Sequence, residues 1–333
     1  MDIDFVIPWV DGADPDWQKV KNQYTPTKAP DSYGENRYRD WGLLPYWFRA
    51  VEKYAPWVRT VHFVTWGHLP SFLNSGAAHL HIVRHEDFIP SQYLPTFSSH
   101  PIEMNIHRIN GLAEHFVYFN DDMFLLRAVK PEHFFRNGLP CTCGLEIPLV
   151  WSGKIGSWQH TAANDLGIVN AHFSKKNAVR DYGRKYRAHC YRWKDIFRTY
   201  ILEKIYPDYF LGFQNIHGPA AYLKSVFHEV WEAEPEMMNN TCLDKFRTSD
   251  NLNQWVFLWW QVASGQFSPI VVDNLVKGIT SETIDDLCLS IVKQKHDFIC
   301  LNDPEEEIPF EILAQQLKDA FETVFPQKSH YEK

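Results

Sequence analysis

Residues 116–122 read Phe-Val-Tyr-Phe-Asn-Asp-Asp and predict how the rest of the chain is organised. Four aromatic or β-branched residues run directly into an amide and two carboxylates, which is typical of a buried strand with a polar carboxyl end. Open α/β sheets bind their ligands at such ends. Asp121 and Asp122 therefore predict a site for Mg²⁺ or Mn²⁺, held together with the phosphates of a substrate. The same run is equally typical of a turn that closes a strand, so both interpretations stay open at this point.

Strands and helices alternate on both sides of this segment. Strands are predicted at 3–10, 58–65 and 79–84, and helices from Asp40 to the Ala55-Pro56 stop and over 101–115. Later residues predict helices over 193–206, 219–232, 250–264, 281–294 and 309–325. The predicted fold class is α/β, with a mainly parallel Rossmann-like (GT-A-like) sheet flanked by helices and a more helical C-terminal portion.

Two further loops carry polar residues where a ligand of this sheet would bind. The first strand ends in a loop at 11–15, where Gly12 would let the backbone approach a ligand closely. A late strand at 298–301 ends in Asn302 and Asp303, which repeats the format of the first segment. We expect the two Asn-Asp ends to lie side by side.

Other candidates are single residues. Glu103 and His107 lie four apart on a predicted helix and so share one face, which fits a common cleft as well as a plain surface pair. Arginine side chains that could bind a phosphate are Arg37, Arg39 and Arg247. Together with the carboxylate pair, these residues are compatible with transfer from a nucleotide sugar. We therefore predict a nucleotide-sugar-binding α/β part at 1–150 and a helical acceptor and catalytic part at 151–333, completing one catalytic unit.

Composition limits the class of protein. The chain has 333 residues, 45% of them apolar, and a formal net charge of −8, which predicts a globular protein and argues against general nucleic-acid binding. No apolar stretch is long enough to span a bilayer and no signal sequence is recognisable, so we expect a cytoplasmic location. The six cysteines lack paired zinc spacing and predict scattered buried thiols.

Charge is unevenly distributed along the chain. Residues 175–198 contain nine Lys or Arg against two acidic residues, interleaved with tyrosines and a tryptophan. Such a block predicts contact with an anionic polymer, a phosphorylated sugar chain or an acidic membrane surface, the last giving peripheral association with the inner face of the cell membrane. A solvated helix face is the alternative interpretation.

A family resemblance rests on many separate blocks. Residues 4–15, Asp-Phe-Val-Ile-Pro-Trp-Val-Asp-Gly-Ala-Asp-Pro, are followed by 37–40 (Arg-Tyr-Arg-Asp), 55–59 (Ala-Pro-Trp-Val-Arg), 63–67 (Phe-Val-Thr-Trp-Gly), 94–99 (Leu-Pro-Thr-Phe-Ser-Ser), 106–109 (Ile-His-Arg-Ile) and 120–122. Shorter blocks follow at 217–219, 246–250, 300–303 and 325–329. This series resembles the Stealth family, which includes bacterial capsule and cell-wall hexose-1-phosphate transferases and the animal enzyme that tags lysosomal glycoproteins with N-acetylglucosamine-1-phosphate. The absence of long insertions resembles the compact bacterial branch.

The resemblance implies a reaction and a set of residues. Hexose-1-phosphate would pass from a UDP-sugar donor to a sugar hydroxyl of a growing polysaccharide or oligosaccharide acceptor, and UMP would leave. The implied catalytic residues are Asp121, Asp122, His217 and Arg247, with Asp121 and Asp122 also holding Mg²⁺ or Mn²⁺. The predicted donor-binding residues are Trp9, Asp11, Gly12, Arg37, His107, Asn120, Asn302 and Asp303.

Two alternatives remain open from the sequence. A metal-dependent glycosyltransferase of the GT-A type would attack the anomeric carbon and release UDP instead of UMP. A non-catalytic subunit would use its aromatic residues to bind glycans. Product analysis with a competent acceptor separates all three.

Overall fold

The computed structural model describes residues 1–25, 38–153, 155–214, 217–303 and 308–333. Within these ranges the strands are β1 Ile3–Trp9, β2 Thr60–Thr65, β3 Leu80–Arg84, β4 His115–Tyr118, β5 Met123–Leu125, β6 Phe135–Arg136, β7 Leu139–Thr142, β8 Ala220–Leu223, β9 Ser268–Pro269, β10 Asn274–Gly278 and β11 Phe298–Asn302. The helices are α1 Pro15–Tyr24, α2 Leu44–Tyr54, α3 His85–Phe88, α4 Ser99–Asn105, α5 Ser157–His172, α6 Lys175–Tyr186, α7 Trp193–Ile205, α8 Lys224–Ala233, α9 Pro235–Leu243, α10 Trp255–Ala263, α11 Ile284–Val292 and α12 Phe310–Val324.

The central sheet has the strand order β3-β2-β1-β4-β8. β1 pairs in parallel with β2 on one edge and with β4 on the other, and only β8 runs antiparallel. The chain thus adds strands on one side of β1 and then crosses to the other, which creates a topological switch between β1 and β4. The predicted α/β class with a mainly parallel sheet is confirmed. β8 comes from the second half of the chain, so both predicted parts contribute to this sheet.

A smaller three-stranded sheet adjoins the central one through the segment at 119–122. Its order is β10-β11-β5, with β11 parallel to β10 and antiparallel to β5. The backbone N–H of Leu301 donates to the carbonyl of Asp122 at 2.9 Å, so the two Asn-Asp ends do lie side by side as predicted. A third sheet, β6-β7-β9, completes the strands of the described ranges.

The observed helices differ from prediction in places that have local causes. α2 begins at Leu44, which puts Pro45 in the first helical turn, where a missing N–H costs nothing. The predicted helix over 101–115 is wrong beyond residue 108, because Gly111 adopts a φ of 74° and His115 already begins β4. The first residues of the predicted helix over 219–232 instead form β8. The helices that the sequence did not predict are α1, the four-residue α3, α5, α6 and α9.

No helix in the described part of the chain combines the length and the apolarity that crossing a bilayer requires. The core instead lies between the sheets and their helices, where large aromatic side chains such as Phe5, Trp47, Phe119 and Trp259 are almost completely buried. Its aromatic rings meet in edge-on and tilted pairs, for example Phe5 against Phe119 with centroids 4.8 Å apart. This packing fixes the strands whose ends carry the polar residues.

A buried carboxylate on β1 joins three neighbouring segments. Asp4 is fully buried; its two oxygens accept hydrogen bonds from the Arg59 guanidinium, and one of them also accepts from the backbone N–H of Ala113 at 2.8 Å and lies 3.0 Å from Nε2 of His62. Burial alone would raise the pKa of Asp4, but the hydrogen bonds from His62, Arg59 and Ala113 outweigh burial and hold this pKa below its usual value. Asp4 therefore contributes stability as an anion.

We predict that Asp4→Asn lowers the free energy of unfolding by about 2–3 kcal/mol, less than for a fully buried pair because Arg59 is partly exposed. Since the folded-state pKa lies below the unfolded value of about 3.9, this contribution is present above about pH 4 and is lost as pH falls through the folded pKa. Urea unfolding of both proteins across acidic pH tests this. The exposed neighbour Asp2 supplies the control, and an Asp2→Asn variant as unstable as Asp4→Asn would contradict the assignment.

Candidate active site

A cavity of about 690 Å³ opens at the carboxyl ends of β1 and β4. This is the switch point of the central sheet, where the two crossover directions leave a crevice. Residues from both halves of the chain line it. The predicted site residues among them are Trp9, Asn120, Asp121, Asp122, His217, Arg247, Asn302 and Asp303.

The Asn-Asp-Asp segment forms the floor of the cavity and is also a turn. The backbone N–H of Met123 donates to the carbonyl of Asn120 at 3.2 Å, which closes the turn between β4 and β5. Burial among the cavity walls, followed by repulsion from Asp122 and Asp40, raises the pKa of Asp121 to about 7, although its side chain is open to solvent inside the cavity. Oδ1 of Asp122 is buried with no hydrogen-bond partner in the described residues. Both carboxylates thus have oxygens available to a ligand.

The second Asn-Asp end stands beside the first. Both carboxylate oxygens of Asp303 are buried without a hydrogen bond in the described part of the chain, and Nε of Arg39 lies 3.6 Å from one of them. Burial raises the pKa of Asp303, and the charge of Arg39 and a contact from the indole N–H of Trp41 oppose that rise. The Asn302 side-chain oxygen accepts from the thiol of Cys300 at 3.3 Å. This end of β11 therefore adds a carboxylate with unused oxygens to the cavity.

His217 approaches the carboxylate pair from the loop before β8. Its Nε2 lies 3.7 Å from Oδ2 of Asp122, and its backbone carbonyl accepts a 2.7 Å hydrogen bond from Nδ2 of Asn274. The ring is about one-third exposed. Because 3.7 Å is longer than a hydrogen bond, Nε2 is not committed to Asp122 and remains accessible from the cavity.

A short chain of polar groups, contributed by α4 and by Arg247, lines another wall of the cavity. Nη2 of Arg247 donates to Oγ of Ser99 at 2.9 Å, and the Ser99 hydroxyl is hydrogen-bonded to the carboxylate of Glu103. The backbone N–H of Gln254 also donates to Glu103 at 2.9 Å. Burial raises the pKa of Glu103, while the Ser99 hydrogen bond and the Arg247 charge oppose the rise. Glu103 thus lies behind Arg247 and balances part of its charge without occupying its guanidinium.

Several predicted residues lie outside this lining. His107 is buried in a 3-10 turn against Phe227 and His228, and burial followed by the charge of Arg108 lowers its pKa to about 3. It does not share the cavity with Glu103, because the α-helix ends at Asn105 and the turn rotates the later residue away. These are the contacts of a neutral core histidine.

The loop after β1 supports the cavity from outside. The backbone N–H of Asp11 donates to Nε2 of His68 at 2.8 Å. A Cβ on Gly12 would lie 2.1 Å from the carbonyl oxygen of Tyr38, so the close approach that this glycine permits is to the neighbouring chain segment. Tyr38 itself lines the cavity. Arg37, the remaining predicted residue, lies outside the described residues.

Sequence reading missed an aromatic and polar wall. Trp17 packs edge-on against Tyr38 and Phe97, with ring centroids 4.9 and 5.7 Å away. Tyr118 belongs to the segment 116–122, and its hydroxyl is buried in the cavity wall without a hydrogen bond among the described residues. Burial lowers the pKa of His85 to about 4, which keeps it neutral. The Asp14-Pro15 helix start was the available signal for Trp17, since the side chain of Asp14 caps α1.

Known proteins resemble this chain over nearly its whole length. Two family models match, Stealth protein conserved region 1 at residues 1–29 and conserved region 2 at residues 37–142. A capsular polysaccharide phosphotransferase WcwK of Streptococcus pneumoniae is 38% identical over 99% of this chain and 98% of that protein. The chain belongs to the Stealth family.

Two further relatives are similar to this chain over a comparable length. The receptor polysaccharide phosphotransferase WefC of Streptococcus gordonii is 36% identical over 99% of this chain and 98% of its own length. The exopolysaccharide phosphotransferase cps2G of Lactiplantibacillus plantarum is 35% identical over 100% of this chain and 96% of its own. The predicted family membership is therefore confirmed.

The two Stealth regions contribute the floor of the cavity and several of its wall residues. Region 1 contains β1, its loop and α1, and region 2 runs from the segment before α2 through the Asn-Asp-Asp turn to β7. His217, Arg247 and the β11 end lie beyond both regions. The cavity is thus completed by residues outside the two matched regions.

We predict that Gly12→Ala destabilises the protein by about 1–3 kcal/mol and displaces Tyr38 from the cavity wall, because the added methyl overlaps a backbone carbonyl. Gly278→Ala is the matched control, since its added methyl meets no atom within 4 Å. Thermal unfolding and the quenching of tryptophan fluorescence by a soluble quencher measure stability and wall exposure. Equal behaviour of the two variants would contradict the role assigned to Gly12.

Proposed function

We propose that this Stealth protein transfers hexose-1-phosphate, such as N-acetylhexosamine-1-phosphate, from a UDP-sugar to a hydroxyl group of a growing glycan. The product is a phosphodiester, UMP leaves, and the reaction belongs to capsular or cell-wall polysaccharide synthesis in the cytoplasm. One observation carries the proposal: a carboxylate pair, a histidine and an arginine from distant segments line a single cavity at the sheet's switch point. The transferase class follows from the phosphotransferases to which the chain is similar over its whole length.

The cavity has the size and lining that a nucleotide sugar requires. About 690 Å³ falls within the range of small-molecule sites. Tyr38, supported by the buried rings of Trp17 and Phe97, offers an aromatic surface for the uracil base or the sugar. The carboxylates and the arginine lie on the other walls, where they would face the diphosphate.

The residues present fit Mg²⁺ or Mn²⁺. Hard cations prefer oxygen ligands, and Asp121, Asp122 and Asp303 supply carboxylate oxygens of which three are buried without a hydrogen bond among the described residues. Cys300 lies near Asp122 and His217, but sulfur is a soft donor and a poor ligand for a hard cation such as Mg²⁺. When bound, the cation neutralises charge on the diphosphate and aligns it.

Arg247 holds the phosphate that is attacked. One N–H of its guanidinium is used by Ser99, and no acidic side chain of the described ranges lies within ion-pair distance. Its remaining N–H groups are therefore available to bind a phosphate as a planar fork. Charge that accumulates on the phosphoryl oxygens in the transition state is stabilised by this contact.

His217 accepts the proton of the acceptor hydroxyl. The hydroxyl oxygen then forms a bond to the sugar-linked phosphorus, the bond from that phosphorus to the bridging oxygen of the diphosphate breaks, and UMP carries away the electron pair. The anionic Asp122, 3.7 Å from Nε2, stabilises the imidazolium that results. Attack on the anomeric carbon would release UDP, and a glycan-binding subunit would release neither nucleotide.

We predict that transfer stops in excess chelator and returns with added Mg²⁺ or Mn²⁺. Asp121→Asn and Asp122→Asn should each reduce turnover at least about a hundredfold, because the diphosphate charge is no longer neutralised. Chromatography identifies the nucleotide that is released, and phosphorus NMR of the glycan detects the phosphodiester that is formed. Full turnover in excess chelator would refute the proposal that transfer requires a divalent cation. Release of UDP in place of UMP would refute the proposal that hexose-1-phosphate is transferred.

We predict different kinetic defects for the two other residues. His217→Ala should lower single-turnover rate roughly 10²–10⁴-fold with little change in donor affinity, because only proton acceptance is lost. Arg247→Ala should weaken donor binding and slow transfer, and Arg247→Lys should restore only part, since an ammonium cannot form the fork. Calorimetric donor affinity is measured beside the rates. If His217→Ala loses donor affinity but transfers normally at saturation, His217 belongs to the donor pocket instead.

A further inference from the structure

Helix α7 is oriented with its polar side inward. The residues that it buries are Asp195, Thr199 and Glu203, spaced four apart on one face. The opposite face carries large apolar side chains that are exposed, namely Trp193, Phe197, Tyr200, Ile201 and Ile205. Trp193, Phe197 and Ile205 are 71%, 58% and 61% exposed, which reverses the normal arrangement of a surface helix.

One ion pair and one hydrogen bond hold the helix in this orientation. Glu203 is paired with Arg187, which lies outside α7, and Nζ of Lys175 on α6 donates to the carbonyl of Leu202 at 3.1 Å. Rotating the helix to bury its aromatic face would break both contacts and separate Arg187 from its carboxylate partner, which is costly. The exposed apolar face is therefore a stable feature of the fold.

Two lysines lie within the apolar face. Nζ of Lys194 lies 5.7 Å from the ring centroid of Trp193, and Nζ of Lys204 lies 5.5 Å from that of Tyr200. In this position the lysine stems extend the apolar surface while the ammonium groups stay at its border. Tyr206 and Tyr209, which follow the helix, are exposed as well.

The surrounding surface is basic although the chain carries a net charge of −8. Of the nine Lys and Arg of residues 175–198, Lys175 is buried in an ion pair with Glu146, whereas Lys176, Arg180 and Arg184 on α6 are exposed. A partner of this face must therefore accept apolar side chains and also carry negative charge. Protein interfaces deplete lysine in their apolar centre, whereas helices that lie in a lipid interface combine Trp and Phe with Lys and Arg.

We propose that α7 is a membrane-docking helix that lies in the plane of an anionic bilayer surface. Its aromatic and isoleucine side chains insert between the headgroups, and Lys194 and Lys204 contact lipid phosphates. The docking surface comprises Trp193, Lys194, Phe197, Tyr200, Lys204 and Ile205. The inference is independent of the transfer chemistry, since none of these residues lines the cavity.

Co-sedimentation of the purified chain with vesicles tests the proposal. Phosphatidylcholine vesicles with about one-third phosphatidylglycerol are compared with pure phosphatidylcholine at low and high salt. The apolar variant is Trp193→Ser/Phe197→Ser, and the charge variant is Lys194→Gln/Lys204→Gln. The matched control is Ile312→Ser/Lys293→Gln, which removes an equally exposed isoleucine and an exposed lysine elsewhere. Thermal unfolding confirms that each variant is folded, and sedimentation velocity gives the oligomeric state.

The expected result is binding to the anionic vesicles that falls about tenfold or more in either docking variant, weakens with salt, and is unchanged in the control. Turnover of a short soluble acceptor should be the same in all four proteins, which separates failure of docking from failure of the catalytic proposal. No binding by the parent chain, or equal loss in the control, overturns the proposal. A dimer that the apolar variant converts to monomer also overturns it, because the face would then pair copies of the chain.

Discussion

The site depends on the position of β1 between two parallel neighbours. The register places Val6 opposite Tyr118 and Trp9 opposite Thr65, so β1 extends beyond the last residue of β4. The backbone N–H of Phe119 still donates to the carbonyl of Val6 at 2.9 Å, after which the chain leaves the sheet at Asn120. Trp9 and the two aspartates consequently lie on the same edge. A shift of this register would separate them, because parallel pairing fixes the position of every strand end.

Sequence patterns predicted the strands that are mostly buried and the helix that has one apolar face. β1, β2, β3 and β11 are short runs rich in apolar and β-branched residues between polar segments, and α2 has a clear apolar stripe, so each was predicted within a few residues. β8 was taken as the start of a helix because four apolar residues fit either structure, and only pairing with β4 decides between them. α7 was placed correctly, but its inverted orientation is invisible in sequence, where buried Asp195 and Glu203 look like solvent-facing residues.

The same limit applies to the cavity. Strand-end carboxylates could be found because their chemistry is local to one segment. Ser99 and Glu103 lie four apart on α4, but Arg247 reaches them by a tertiary contact across more than a hundred residues, and no spacing rule joins it to them. The pairing of Glu103 with His107 failed for a local reason, since an α-helix that tightens into a 3-10 turn no longer keeps residues four apart on one face. The Stealth resemblance supplied His217, and it singled out Arg247 from the arginines that residue type alone had made candidates.

The pairing of β5 with β11 has a consequence for folding of the chain during its synthesis. Phe298 to Cys300 align with Leu125 to Met123, so the floor of the cavity joins two segments that the ribosome produces about half a chain apart. Until the later segment emerges, Asp122 lacks the backbone partner supplied by Leu301, and the cavity lacks Asp303. Closing so long a loop is slow compared with local folding. A nascent chain can therefore build its parallel strands early and yet gain a complete pocket only after residue 303 has been synthesised.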